Sequence, residues 1–308
     1  MTKQKIGIAL GSGAARGWSH IGVLQVLEEE GIKPDIVTGC SMGALVGAAY
    51  IADELEALHQ WAIKISWREM ADLIDIDLTS GGLIEGKRLM DFFQTVRGDA
   101  PIENFKTPFT AIATDLMTGR EIWLEEGSLV GAVRASIALP GLLSPVKQNG
   151  KWLLDGGLVN PVPVSAARAR GADIIIAVNL NGGLVGKHVH PKLNPANADA
   201  ERSVPMEIFN SLFDRVPKPI STSMKKFAPD LFKPGSKTPG YFDVGATAIN
   251  IMQDQITRAR LAGEPPHVML SPQLQDLKIL DFNRAEEAVE EGRRVTKYAL
   301  PAIRDLLD

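Results

Sequence analysis

Gly39-Cys40-Ser41-Met42-Gly43 lies between the apolar run Ile36-Val37-Thr38 and the small-residue run Ala44-Leu45-Val46-Gly47-Ala48-Ala49. That order predicts a strand, a tight turn and a helix, with Ser41 at the apex. A G-x-S-x-G elbow in this setting holds a nucleophile. The strained turn lifts the hydroxyl clear of the sheet, and Gly39 and Gly43 let strand and helix close around it. The first N–H groups of the helix have no intrahelical acceptor, and Met42 N–H leads them. It sits where negative charge would develop on a reacting carbonyl, which makes it the first oxyanion-hole candidate. Such a motif needs its context, and the flanking strand and helix supply it.

Upstream, Lys5 to Leu10 reads as a buried strand and Gly11 to Gly17 as a small-residue loop. A helix with Ile21, Leu24 and Leu27 at helical spacing follows and ends near Gly31. Downstream, the helix after the elbow runs to about Ala57. Phe109–Thr114 and Arg120–Leu124 read as strands joined by the turn Asp115 to Gly119, and Lys151–Leu154 and Asp173–Val178 as later strands. This alternation predicts a three-layer α/β/α fold around a mainly parallel sheet. Residues 182–240 differ: rich in proline, asparagine and lysine, and without clear periodicity, they read as an irregular excursion or lid. Regularity returns in a helix over Val244–Ala262, a strand at His267–Leu270, and a helix capped by Asn283 that turns Ala285, Ala288, Val289, Gly292 and Val295 inward.

A chain of 308 residues can bury one large core. The formal charge of −4 argues against general nucleic-acid binding. Cys40, the only cysteine, has no internal disulfide partner, which points to a reducing compartment. Within the elbow Ser41 holds the apex, so Cys40 reads as a packing residue. No apolar run reaches the ~18 residues of a membrane span, and Ile6–Leu10 is too short for a signal peptide. The expectation is a soluble, cytoplasmic protein.

Two further constellations carry chemistry. Gly11-Ser12-Gly13-Ala14-Ala15-Arg16-Gly17 follows the first strand, and its small residues free backbone N–H groups to face an anion. A dinucleotide fingerprint fits badly. Arg16 stands where its third glycine belongs, and Asp35 precedes the second strand instead of ending it. The loop is either the second half of an oxyanion hole, with the Gly13 and Ala14 N–H groups facing Ser41, or a structural turn. Asp155-Gly156-Gly157 places a carboxylate at a strand end, where the two glycines allow close approach to another backbone, or is an ordinary turn aspartate. A triad histidine is hard to place. His188 and His190 fall in the excursion, His267 follows Pro265-Pro266, and His20 reads as a packing or capping residue. No cysteine–histidine spacing suggests a metal.

In this order, the glycine loop with Arg16-Gly17, the elbow and the D-G-G resemble the hallmarks of the patatin-like phospholipase family. Trp18 to Leu24 is similar to that family's first helix, Ala132 to Gly141 to its helix before the D-G-G strand, and Asp155 to Pro163 to its D-G-G-x-x-N-P-x-P segment. The likeness covers residues 5–181, and the loop wording is similar to the bacterial RssA-type subgroup. It implies a Ser–Asp dyad without histidine, with Ser41 as nucleophile and Asp155 as base. Gly13 and Ala14 would be oxyanion-loop positions, supported by Arg16, and Gly11, Gly17, Gly39, Gly43, Gly156 and Gly157 the motif glycines. Ser12 and Ala14 depart from the family, where many members have glycine, and the Ala14 methyl would crowd the oxyanion site or narrow substrate choice. The resemblance implies no cofactor and no metal, a lipid or acyl-ester substrate, no nucleic acid, and peripheral contact with a membrane surface. The apolar stretch Trp61, Ile63, Ile65, Trp67, Met70, Leu73, Ile74, Ile76 and Leu78 reads as a core helix or as an apolar rim for acyl chains or a bilayer, and the basic residues Arg215, Lys218, Lys225, Lys226, Lys233 and Lys237 would draw anionic lipid. Residues 5–181 would form the catalytic core, and residues 241–308 would complete the same domain.

Overall fold

The computed structural model describes residues 4–65, 99–182 and 241–307. β1 (Ile6–Leu10) and β7 (Ile174–Val178) are apolar and buried along their whole length, as strands covered on both faces are. β1 pairs in parallel with β2 (Ile36–Cys40) and β7. β2 pairs in parallel with β3 (Phe109–Asp115), and β7 with β8 (Val268–Leu270). Beyond β3 the sheet turns antiparallel. β4 (Glu121–Leu124) and β6 (Lys151–Asp155) run against β3, and β5 (Val146–Gln148) against β6. The order is β5-β6-β3-β2-β1-β7-β8, with β4 pairing to β3 outside that path. The expected parallel character therefore holds from β3 to β8. At the other end, turns too short for a crossover make the β3–β4 and β5–β6 pairs antiparallel. Asn149 (φ 50°) and Gly150 (φ 78°) form the β5–β6 turn, with both central residues left-handed as a two-residue hairpin loop requires.

Side chains alternate between two layers. Ile8, Leu10, Val37, Ile176 and Val178 enter a large core shared with α1 (Ser19–Glu29), α2 (Met42–Ile51), α3 (Leu55–Ala62), α4 (Leu129–Ser136) and α7 (Ala285–Leu307). Ala9, Ile36, Ile175 and Ala177 face the other way, onto Val164 and Ala167 of α5 (Val164–Ala169) and Leu261 of α6 (Tyr241–Gly263). The result is the three-layer α/β/α arrangement. α1 and α7 cross at glycines: a Cβ at Gly22 would strike the Val289 carbonyl, and one at Gly292 the Ser19 carbonyl.

Two expectations need correction. The helix after the elbow does not reach Ala57. It ends at Ile51, and α3 starts at Leu55. Asp53 takes a left-handed φ of 59°, Glu54 N–H donates to Ala49 O at 2.8 Å, and Asp53 N–H to Tyr50 O at 3.1 Å. That is a Schellman stop with aspartate in the position glycine usually takes. Asn283 does not cap α7. It lies inside a 3-10 turn, Phe282–Arg284, and its Oδ1 is buried with no partner among the described residues. Of the apolar stretch, Ile65 is buried, Trp61 packs edge-on against Trp18, and Ile63 is exposed. Trp67, Met70, Leu73, Ile74, Ile76 and Leu78 lie outside the described residues, as do residues 183–240 with their basic residues, His188 and His190.

Candidate active site

β2 delivers the chain to Ser41 and α2 carries it away, so the serine is the residue preceding a helix N-terminus. Its φ of 55° and ψ of −123° are strained for a residue with a Cβ. Such conformations cost about 1–3 kcal/mol and persist where packing over-determines them. Here the packing is visible. A Cβ at Gly39 would lie 2.5 Å from Ala44 Cα, and one at Gly43 would strike the Leu10 carbonyl. Ser41 N–H donates to Ser136 Oγ at 2.9 Å, and the Ser136 hydroxyl donates to Ile112 O at 2.6 Å. The last residue of α4 thus ties the elbow to β3.

Asp155 ends β6 and is 1% exposed. Its N–H donates to Ala138 O at 2.9 Å, and its carbonyl accepts from Thr114 Oγ1 at 2.8 Å. Oδ1 accepts from Gly157 N–H at 2.7 Å, and Oδ2 accepts from the Ser41 hydroxyl at 2.6 Å. Burial pushes this carboxyl up from 3.8 to about 6, against the opposing pull of the Ser41 and Gly157 hydrogen bonds. Gly156 packs against the Ile112 carbonyl and Gly157 against the Gln253 amide, both too closely for a Cβ.

The glycine loop closes over this pair. Gly11 N–H bonds Val178 O and Ser12 N–H bonds Pro161 O, while Ala15 N–H reaches Ile279 O and Arg16 N–H returns to Gly13 O. The N–H groups of Gly13 and Ala14 have no protein acceptor among the described residues. Ala14 has a left-handed φ of 48°, so its departure from glycine is a backbone strain as well as a methyl. Gly17 leaves no room for a Cβ beside the Met42 side chain, and one at Gly11 would lie 2.5 Å from the Val178 carbonyl. Arg16 is buried, donating Nε–H to Gly13 O at 3.2 Å and Nη2–H to Asn250 Oδ1 at 3.0 Å. Burial lowers it to about 10, so it remains a cation at neutral pH.

Among the described residues, the candidate histidines do not reach Ser41 or Asp155. His20 is fully buried, its Nε2 lies 2.8 Å from Gly11 O, and burial lowers it to about 4. It is a neutral ring that donates to the loop's first carbonyl. His267 Nδ1 accepts from Ile175 N–H at the β7–β8 edge. Cys40 is buried, and burial raises its thiol well above its ordinary value, so it packs instead of reacting. Among the described residues no group of three or more His, Cys, Asp or Glu is placed to hold a metal ion.

One pocket gathers these groups. It is lined by Gly13, Ala14, Arg16, Ser41 and Asp155 together with the apolar Leu139, Ile249 and Ile279 and the amides of Asn250 and Gln253. Of the residues singled out in the sequence, Ser41, Asp155, Gly13, Ala14 and Arg16 meet here, beside Met42 at the start of α2. Ser136, Asn250 and Gln253 had no local signal, because each belongs to a helix whose periodicity reads as ordinary packing. The arrangement can pass a proton from hydroxyl to carboxylate beside N–H groups free to bind an oxyanion.

The family model described as patatin-like phospholipase matches residues 8–168. An uncharacterized NTE family protein of Mycobacterium tuberculosis is 32% identical over 97% of this chain and 92% of its own length. Lysophospholipase NTE1 of Candida glabrata is 29% identical over 98% of this chain, which spans only 16% of that protein. Among solved structures, VipD from Legionella pneumophila covers 97% of this chain and 67% of its own, at 14% identity and a TM-score of 0.42.

Proposed function

The chain belongs to the patatin-like phospholipase family and is a lipid-hydrolysing enzyme, and from that premise we propose that it cleaves acyl esters of lysophospholipid type through a Ser41–Asp155 dyad. One observation carries the dyad: the 2.6 Å hydrogen bond from the Ser41 hydroxyl to a carboxylate pushed up to about 6. A solvated carboxylate near ~4 is a poor base for a hydroxyl, and a buried one holds a proton better. Asp155 takes the Ser41 proton as Oγ attacks the ester carbonyl. The resulting oxyanion accepts from the N–H groups of Gly13, Ala14 and Met42. Asp155 then returns its proton to the leaving alcohol. Water attacks the acyl-enzyme, gives its proton to Asp155, and Ser41 is restored as its oxygen takes that proton back.

The lysophospholipase name of the yeast relatives supports the substrate class. The placement of Asn250 and Gln253 supports the proposal that residues 241–308 complete the catalytic unit begun by residues 5–181. Loop wording supports a place beside the RssA-type members. The basic residues between Arg215 and Lys237 support peripheral contact with an anionic lipid surface.

The test pairs covalent labelling with hydrolysis. A fluorophosphonate probe is expected to label wild type at Ser41. Ser41→Ala is expected to lose the label, and both Ser41→Ala and Asp155→Asn to lose lysophospholipid hydrolysis by about 10³-fold or more. Labelling that survives Ser41→Ala would overturn the reading.

A further inference from the structure

Gln253 is 5% exposed and projects from α6 into the pocket that holds Ser41 and Asp155. Its Oε1 is doubly occupied: Ser12 Oγ–H donates to it at 3.1 Å and Asn181 Nδ2–H at 2.9 Å. Asn181 is fixed in turn, its N–H donating to Asn179 Oδ1 at 3.0 Å. With the oxygen tied back, Nε2 points the other way, over Gly157. Nε2 and Asp155 Oδ1 both lie within 3.0 Å of the point a Gly157 Cβ would take. The reverse amide orientation would set an NH2 group 2.9 Å from the Asn181 NH2 group, donor against donor, so the hydrogen-bond network fixes the orientation. In this orientation Nε2 has no protein acceptor among the described residues. Gln253 lines the pocket, so this donor, with no protein acceptor among the described residues, is open to an acceptor on a substrate.

The position says which part of a substrate meets it. The oxyanion donors stand on the glycine loop and at the start of α2. Asp155 protonates the leaving alcohol, so the side of the pocket beside Asp155 and Gly157 is the alcohol's side. We infer that Gln253, oriented by Ser12 and Asn181, donates a hydrogen bond to an oxygen on the alcohol portion of the ester, next to the scissile bond. This selects esters of a polyol such as glycerol over esters of a simple alkanol. It gives Ser12, which replaces the family's usual glycine, a task. The inference rests on the hydrolase reading above and deepens it.

The experiment compares two substrates with one acyl chain, monolauroylglycerol and propyl laurate, which differ only in the hydroxyls of the alcohol. Wild type is expected to favour monolauroylglycerol in kcat/KM. Gln253→Met, close in shape and without the donor, is expected to lower that preference about tenfold, the size of one lost neutral hydrogen bond. Ser12→Gly, which frees the amide to turn, is expected to lower it by a smaller factor. Circular dichroism and thermal melts check that the variants fold, and Ser12→Gly serves alone if Gln253→Met does not. A wild type without preference would overturn the inference. So would a ratio unmoved in the variants, whether or not both rates fall together. If wild type hydrolyses neither ester and no fluorophosphonate label reaches Ser41, the hydrolase reading falls and takes this inference with it. An unmoved ratio in a labelled enzyme defeats this inference alone.

Discussion

Asp155, the proposed base, is also a burden on the fold. Its carboxyl holds a proton up to about 6, above its ordinary 3.8. The free enzyme's kcat/KM is therefore expected to rise with pH along a limb centred near 6, as the base ionises. A pH–rate profile checks this; a limb near 4 would place the carboxylate in solvent. The same shift acts on stability. Between the unfolded and folded values the native state binds more proton than the unfolded chain, so stability falls as pH rises through that window. The two-unit rise corresponds to about 3 kcal/mol at most. Asp155→Asn is expected to raise the melting temperature at pH 8, with the gain fading as pH drops from about 6 to about 4, while activity is lost. Ser136 is the second residue to test. Ser136→Ala leaves Ser41 N–H and Ile112 O without their shared hydroxyl. The expected cost is about 1–3 kcal/mol of stability, together with a fall in kcat as the strained elbow loosens. Thermal melts and single-turnover kinetics measure the two effects separately. The sequence made Ser41 and Asp155 visible because each stands in a motif whose glycines have steric work to do. Ser136 and Gln253 were not visible, since nothing in a helical pattern says which buried hydroxyl or amide faces a site.

At the scale of elements, the parallel strands were legible because burial on both faces leaves unbroken apolar runs such as Ile174-Ile175-Ile176-Ala177-Val178. The β5–β6 hairpin was missed although Asn149-Gly150 is a strong two-residue turn signal. Its strands are short and mostly unburied, so they carry little alternation. The stop after α2 was missed for a different reason. Aspartate seldom takes the left-handed position that ends a helix, and here the bonds from Asp53 and Glu54 hold it there. The glycine loop offers a prediction. Ala14→Gly removes a left-handed alanine and is expected to stabilise the fold by about 1 kcal/mol, less the entropy glycine adds to the unfolded chain. A chemical denaturation midpoint that falls would show that the methyl packs usefully. The α1–α7 crossing offers another. Gly292→Ala drives a methyl into the Ser19 carbonyl. Overpacking against backbone is expected to cost about 3 kcal/mol, read as a lower melting temperature.

Across the whole molecule, no helix among the described residues is long and apolar enough to cross a membrane. Val244, Ile251 and Met252 are exposed on α6, the helix whose Ile249, Asn250 and Gln253 line the pocket. The full chain is expected to sediment with anionic vesicles at low salt and to release at high salt. Deletion of residues 215–237 is expected to weaken that binding, and equal binding with and without them would remove the basic segment from the account. By itself the sequence determined the class of chemistry and most of the strand–helix order. An elbow, a glycine loop and a carboxylate before two glycines are local patterns, and apolar runs report burial directly. What only the tertiary structure decided is which distant groups share the pocket. Ser41 and Asp155 are 114 residues apart and Ser12 and Gln253 are 241 apart, yet each pair is hydrogen-bonded. A contact at such separation is set by sheet order and by how α6 lies over the strand ends. Burial then raises the Asp155 carboxyl, and a hydroxyl in the glycine loop turns the amide of a helix from the far end of the chain.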